Sequence, residues 1–412
     1  MLLVVGCWLA SQIQRFSLAA YVGASSLMVD LGITAAAAGF LAAVYFPVYG
    51  SLQIPSGILA DQGNPKTNII VGSAGMVIAG AAFALAPSFG LAVAARIVVG
   101  LSAGLLWLSL IRIMWLLPGR GYARRISTTI AVGALGQIAG LGVLPLLLSL
   151  FGWRVVAFAV TLPTLAVGLV LLATPIPFVQ RTGTAGDVWR RSLETLRLVP
   201  AILGRLEFWV VFLPNMLWMG TQFAVLTWLP RYARDILAMP DAAVGILPAL
   251  VPLGQIAGST GFGWLHARRP RLGLPVFFGT AVLYVGAMAL LAGGVATAAG
   301  QGSLFALAIS MGFLYGSFFI SIAWVSGVVE PKLLGTATGV MNGLGFLPAF
   351  VLPWLMGLLM DARDRPPSPA WHYSPDAYAL AFGLAGAALV VGLVGAGLVK
   401  LVLARRVQSK TR

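Results

Sequence analysis

Apolar runs alternate with short polar breaks along the whole chain, at residues 2–26, 35–58, 68–86, 90–115, 127–150, 153–174, 208–230, 243–265, 273–293, 302–325, 335–360 and 377–403. Each is about 20 residues or more, long enough for a helix to cross a hydrocarbon layer of roughly 30 Å. The pattern predicts an all-α integral membrane protein with twelve transmembrane helices. One long polar stretch, "TPIPFVQRTGTAGDVWRRSLETLRLVPAILGR", interrupts it at mid-chain. There Trp189, Leu193 and Leu196 recur at i, i+4 and i+7, with Arg190, Arg191 and Arg197 on other faces. This spacing predicts an amphipathic helix lying on the membrane surface as a tether. The expected organisation is a six-helix bundle over 1–175, a linker over 176–206 and a second six-helix bundle over 207–412.

Composition agrees with this reading: 59% of residues are hydrophobic and 9% charged, with a mean hydropathy of +0.96. The net charge of +15 would suggest a polyanionic partner until the bases are placed. With a cytoplasmic N-terminus, eighteen Lys and Arg fall in inner loops and the tail, and five in outer loops. That is the positive-inside bias, which puts both termini in the cytoplasm and removes any need for nucleic acid. Cys7 is the only cysteine, so neither an internal disulfide nor a cysteine metal cluster is expected, and nothing calls for a cofactor. The "VVGC" preceding and including Cys7 resembles a lipoprotein cleavage box, but no basic region precedes it and its apolar stretch is too short.

The two halves carry traces of a duplication. "LGITAAAAGFLAA" from Leu31 aligns with "LAMPDAAVGILPA" from Leu237, and the same offset of 206 pairs Ala131 and Gly133 with Ala337 and Gly339. Each half crosses the membrane an even number of times, so the halves share one orientation.

The turn between the second and third helices, "GILADQGNPK", is unusually charged for this chain. It resembles the loop of the major facilitator superfamily, Gly-x-Leu-x-Asp-(Arg/Lys)-x-Gly-(Arg/Lys)-(Arg/Lys). Gly57, Leu59, Asp61 and Lys66 match, while Gln62 and Pro65 replace bases and Asn64 stands where glycine is usual. Asn64 is expected to serve there because asparagine visits the left-handed region more readily than most residues. "ARIVVGLSAG" (Arg96, Gly100, Gly104), "GALGQIAGLGVLP", "FGWRVVAF" and "EPKLLGTATGVMNGLG" resemble further family patterns in the right order. The resemblance implies a transporter in which Asp61 acts as a latch at a moving seam, with Lys66 and Arg124 or Arg125 as its expected partners. The second copy, "GWLHARRPR", has Ala267 in place of the acid, so the latch is one-sided. Small-residue spacings at Gly136/Gly140 and Gly335/Gly339/Gly343 predict close helix packing, and Pro47, Pro55, Pro248 and Pro252 predict kinks.

All eleven acids map to loops or helix ends, whereas Arg15, Arg96 and Arg112 lie within helices. Arg112 is near enough to a helix end to snorkel. Arg96 fits equally well with bonding to helix carbonyls or with substrate contact. Arg15 falls near the bilayer centre, where an arginine costs about 2.5–3.5 kcal/mol on insertion scales. Ser11 and Gln12 share its helix face, and Asn215, Trp218 and Gln222 form a stripe on the equivalent helix of the second half. Tyr45, Tyr49, Gln137, Gln255, Tyr315 and Asn342 are further candidate cavity-liners. With no acid at that depth, Arg15 either bonds within the protein or takes an anionic substrate as its counter-ion.

Three functions follow. The first is alternating-access carriage of a small organic or inorganic anion by a monomeric carrier, with a loose likeness to anion and sugar-phosphate permeases. The second is drug or metabolite efflux, which usually needs a buried carboxylate. The third is a sensor that uses the same fold without transport. An intramembrane enzyme is disfavoured, because the helices hold no cluster of His, Cys or acids.

Overall fold

The computed structural model describes residues 1–23, 26–117, 122–174, 185–294, 300–330, 333–368 and 371–410. Among these there is no strand, and twelve helical passages run back and forth. In the first half, α1 is Leu2–Gly23, α3 is Pro65–Ala84 and α4 is Phe89–Leu116. Helix α2 has three pieces, Ala35–Ala43, Tyr45–Ser51 and Gln53–Gln62. Helix α5 comprises Tyr122–Ile138, a π-turn at Ala139–Val143 and a continuation to Gly152, where a left-handed φ of 73° separates it from α6. Helix α6 ends at Ala173. The second half has α7 (Leu206–Leu237), α8 (Asp241–Arg268), α9 (Gly273–Ala292), α11 (Leu334–Asp364) and α12 (Pro375–Lys410). Its α10 comprises Gln301–Tyr315, a 3-10 turn and Phe319–Val328. Ten spans pass on length and apolarity, the bent α2 adds another, and the apolar part of α1, Leu2–Leu18, completes twelve.

Proline accounts for the breaks in α2. A proline has no N–H for the carbonyl four residues earlier, and the first two pieces end at Ala43 and Ser51, four residues before Pro47 and Pro55. The axis bends by 48° at the second break. The π-turn in α5 likewise sits just ahead of Pro145, which leaves the Leu141 carbonyl without its ladder partner. Pro248 and Pro252, expected to kink α8, are accommodated without a break.

The linker helix Ala185–Leu196 exposes Leu193 and Leu196, consistent with an amphipathic surface element. The side chains of Trp189 and Arg191 lie outside the described residues, as do the charged tail's last positions.

The two bundles meet tightly on the face away from the termini, called here the far face. Glycines let α2 and α11 touch backbone to backbone: a Cβ at Gly39 would collide with the Pro353 carbonyl, and one at Gly357 with that of Ala35. Gly50 faces the Gly343 carbonyl at the middle of the same crossing. Gly142 of α5 and Gly245 of α8 form a second small-residue contact. The Gly136 spacing read from the sequence serves a different contact, packing α5 on Leu9 and Gln12 of α1. On the terminal face, a cavity of about 460 Å³ separates α2 and α11, with Gln53, Asp61, Thr195, Thr338 and Asn342 in its wall. A Gly39→Val substitution should therefore hold the far face apart. Spin labels at Thr34 and Arg363 are expected to report a longer mean α2–α11 distance than in the otherwise unmodified protein, and an unchanged distance would contradict this packing account.

Candidate functional site

The polar stripe of α1 converges on Arg15, which is only 6% exposed. Ser11 Oγ donates to the Trp8 carbonyl (2.7 Å), and Arg15 Nη1 donates to Gln12 Oε1 (2.8 Å). The proline-broken α2 brings two rings to the same place. The guanidinium carbon lies 4.4 Å from the Tyr49 ring centroid and 5.6 Å from that of Tyr45, with Trp8 and Phe16 at 5.8 and 5.9 Å. Ring faces attract a desolvated cation by about 2 kcal/mol in good geometry, offsetting much of the burial cost. Arg15 Nε has no hydrogen-bond partner among the described residues. Neither Arg15 nor Arg96 forms an ion pair among the described residues.

Arg96 is 4% exposed and lies 4.8 Å from the Tyr45 ring as well. Gly100 and Gly104, one and two turns on, give α2 room to pass at Tyr45, Val48 and Leu52. The Arg96 guanidinium faces the interior of the first bundle, in a small cavity with Gln14 and Tyr21. Its Nε and Nη2, the Tyr21 hydroxyl and Gln14 Oε1 all lack partners. Gln14 and Tyr21 were not singled out from the sequence; Gln14 lies between Gln12 and Arg15, and its Nε2 reaches the Met76 carbonyl of α3 (2.6 Å).

The remaining candidates fall into three groups. Gln12, Gln137 and Gln255 line one cavity of about 280 Å³ between α1, α4, α5, α8 and α10. Asn342 lines the larger cavity described above. Asn215, Trp218, Gln222 and Tyr315 are brought together inside the second bundle, away from Arg15. Asn215 Nδ2 donates to Ser321 Oγ, and Gln222 Oε1 accepts from the Tyr284 hydroxyl (2.7 Å). Trp218 meets Phe277, Tyr284 and Tyr315 with ring centroids 5.5–5.8 Å apart. Towards the first bundle α7 presents Phe223 instead, which packs on Phe16, Phe46 and Phe346.

The charged turn is built differently from its expected form. Asp61 lies 3.5 Å from Arg112 Nε of α4, not beside Lys66 or Arg125, and Arg112 also covers the Trp115 ring. Lys66 Nζ instead donates to the Thr174 and Leu172 carbonyls at the end of α6 (2.6 and 3.3 Å). Arg125 donates to the Met114 and Leu117 carbonyls at the end of α4 (3.0 and 3.2 Å). Both satisfy carbonyls that a helix C-terminus leaves open. The side chain of Arg124 lies outside the described residues. Asn64 is not left-handed: at φ −100° it is the N-cap of α3, and its Oδ1 accepts from the Lys66 and Thr67 N–H groups ahead of a first-turn Pro65. Asparagine is favoured there for its capping oxygen.

The far-face seam holds an interaction that local sequence did not announce. Asp361, at the end of α11, accepts the N–H groups of Ala36 (2.8 Å) and Ala35 (3.2 Å) at the start of α2. A second-half carboxylate thus caps a first-half helix, where backbone N–H groups and the helix dipole favour negative charge. Tyr373 donates its hydroxyl to the same carboxylate (2.6 Å). Burial first, and then this bond, push the Tyr373 phenol above its ordinary range, keeping it a donor. Behind it the ion pair Arg231–Asp235 is 1% and 0% exposed, and it holds Trp371, Tyr373 and Tyr378 in place. Arg231 and Asp235 are four residues apart on one helix face, which was the available sequence signal.

Two helical bundles packed closely on one face, with cavities towards the other, define the architecture of a membrane transporter. Residues 5–353 match the Major Facilitator Superfamily model, and the chain belongs to that family of transporters. Among its relatives, the "Probable sulfoacetate transporter SauU" of Cupriavidus necator is 25% identical over 90% of this chain and 86% of the relative. The "Chloramphenicol resistance protein" of Streptomyces lividans is 27% identical over 58% of this chain and 60% of the relative. In fold, the chain is similar to a bacterial homologue of the human lysosomal transporter Spinster, solved inward-facing and unoccupied, with a TM-score of 0.75 at 17% identity, covering 98% of this chain and 96% of that one. It is also similar to the nucleoside transporter NupG, with a TM-score of 0.74 at 16% identity over 96% and 99% of the two chains.

Replacing Asp361 by Asn removes a charge and one acceptor from the α2 N-terminus. It should weaken far-face closure by about 1 kcal/mol, roughly a fivefold shift in the equilibrium between open and closed. A cysteine at Phe350 should then react faster with an impermeant maleimide, against a background in which the only native cysteine, Cys7, is buried. Unchanged reactivity would remove Asp361 from the gate.

Proposed function

We propose that this chain is a monomeric secondary carrier that moves a small anion across the inner membrane by alternating access, with both termini in the cytoplasm. The observation that carries the proposal is Arg15: a cation buried midway along α1, caged by rings, with an unpartnered N–H and no carboxylate paired to it. A substrate anion supplies the missing charge, and a guanidinium can hold it through two parallel bonds. The name of the Cupriavidus necator relative points to an organic anion, which supports the same reading.

In this reading the bundles over 1–175 and 207–412 rock about the site while the 176–206 segment tethers them. The state described above is then inward-facing. Its far side is held by Asp361 and the α2–α11 glycines, and Asp61 waits on Arg112 of its own half until the terminal face closes. Gln12, Tyr45 and Tyr49 set the orientation of Arg15, while Gln137, Gln255 and Asn342 meet the solute from the cavities. The aromatic cavity wall and the Streptomyces lividans relative favour drug export as the second reading.

Equilibrium binding to purified variants separates the two. Arg15→Lys should weaken anion binding about tenfold, because an ammonium cannot reproduce the fork. Arg15→Gln should weaken it by a hundredfold or more, the scale of losing charge-assisted hydrogen bonds of about 1.5–3 kcal/mol each. Undiminished anion affinity in an Arg15→Gln protein that elutes as a single folded species would favour the export of neutral compounds.

A further inference from the structure

The cavity between α1, α4, α5, α8 and α10 has features that a bare anion site does not need. One wall is the pair Trp8 and Trp107, with ring centroids 4.6 Å apart and planes tilted by 31°. Trp8 is seated in a notch left by Gly133, where any Cβ would collide with the indole nitrogen. The same Trp8 ring lies 5.8 Å from the Arg15 guanidinium, so the apolar wall and the fixed cation adjoin. Gln12 connects the two, lining the cavity while its Oε1 holds Arg15 Nη1. The remaining polar liners include Gln137 and Gln255, amides that both donate and accept without charge.

Size narrows the occupant further. A dry cavity of roughly 150 Å³ accommodates one benzene ring; this one, at about 280 Å³, has room for a ring, its acid group and further substituents. A two-carbon acid would leave most of the indole surface uncovered. Burying an aromatic face against indoles contributes through both area and ring geometry.

We propose that this cavity selects a planar aromatic acid. Its ring lies against Trp8 and Trp107, and its acid group displaces the Gln12 oxygen from Arg15, turning a neutral acceptor into a charged one. Gln12, freed, presents its N–H groups to the same acid, while Gln137 and Gln255 meet ring substituents. The proposal rests on the anion reading of Arg15 given above and adds the body of the molecule to its charge.

Competition binding to the purified full-length protein with benzoate, acetate and benzamide separates the two claims. Benzoate should bind at least tenfold tighter than acetate, and benzamide much more weakly than benzoate. Trp107→Ala should lower benzoate affinity about tenfold while leaving acetate unchanged, and Trp107→Phe, which keeps a ring and guards against a folding artefact, should fall between. Acetate binding as tightly as benzoate, or an equal loss of both in Trp107→Ala, overturns this proposal and leaves the Arg15 reading standing. Equal binding of benzoate and benzamide overturns the Arg15 reading, and with it the acid specified here.

Discussion

Among the described residues, Arg15 and Arg96 are buried inside the first bundle with no carboxylate paired to them, and the arrangement around them follows from that imbalance. A soluble protein would pair such a cation with an acid, and many membrane proteins do the same across helices. Here Arg15 is surrounded by four aromatic rings and one amide oxygen, and Arg96 shares the Tyr45 ring with it. Rings lower the cost of burial without neutralising charge. The breaks in α2 are part of the same construction, because the piece Tyr45–Ser51 sets both tyrosines against α1 and α4. A charge stabilised but not cancelled is what a site for a transient counter-ion requires: a permanent acid would compete with the solute, and open water would weaken its hold.

The two faces of the molecule solve different problems. The far face is closed by backbone contact at glycines and by one carboxylate capping a helix of the other half, and a fully buried ion pair holds the loop behind it. The ion pair is fully buried, where opposite charges attract more strongly than in an exposed salt bridge. The terminal face relies on exposed charge: the Asp61–Arg112 pair is 66% and 29% exposed and joins two helices of one half. Exposed pairs contribute little, about 0–1 kcal/mol. An exposed pair within one half does not hold the two halves apart at the terminal face.

The number of helices, their order and the place of Arg15 within the first of them were legible in the sequence because each depends on local hydropathy. Close packing at Gly136, Gly140, Gly339 and Gly343 was legible for the same reason, though not which helix each would meet. The α7 stripe of Asn215, Trp218 and Gln222 shows where local reading stops. A helix in a bundle has one face towards its own half and another towards the partner half, and polarity alone does not tell them apart; this stripe faces its own half. The turn residues illustrate a second limit. Asn64 could enter the left-handed region or cap a helix, and Pro65 immediately after it decided for the cap. Asp361 meets Ala35 and Ala36 across more than three hundred residues, and no spacing rule reaches that far.

The central claim is that Arg15 is retained for its ligand at a cost to the empty protein. Thermal unfolding of ligand-free Arg15→Met tests this directly, since methionine fills an aromatic cage without bringing a charge. The account predicts a midpoint equal to the parent's or a few degrees higher, as expected where a functional site sacrifices stability. A midpoint several degrees lower, in a variant that still binds anions, would show that Arg15 is a structural residue and that the anion's charge is met elsewhere.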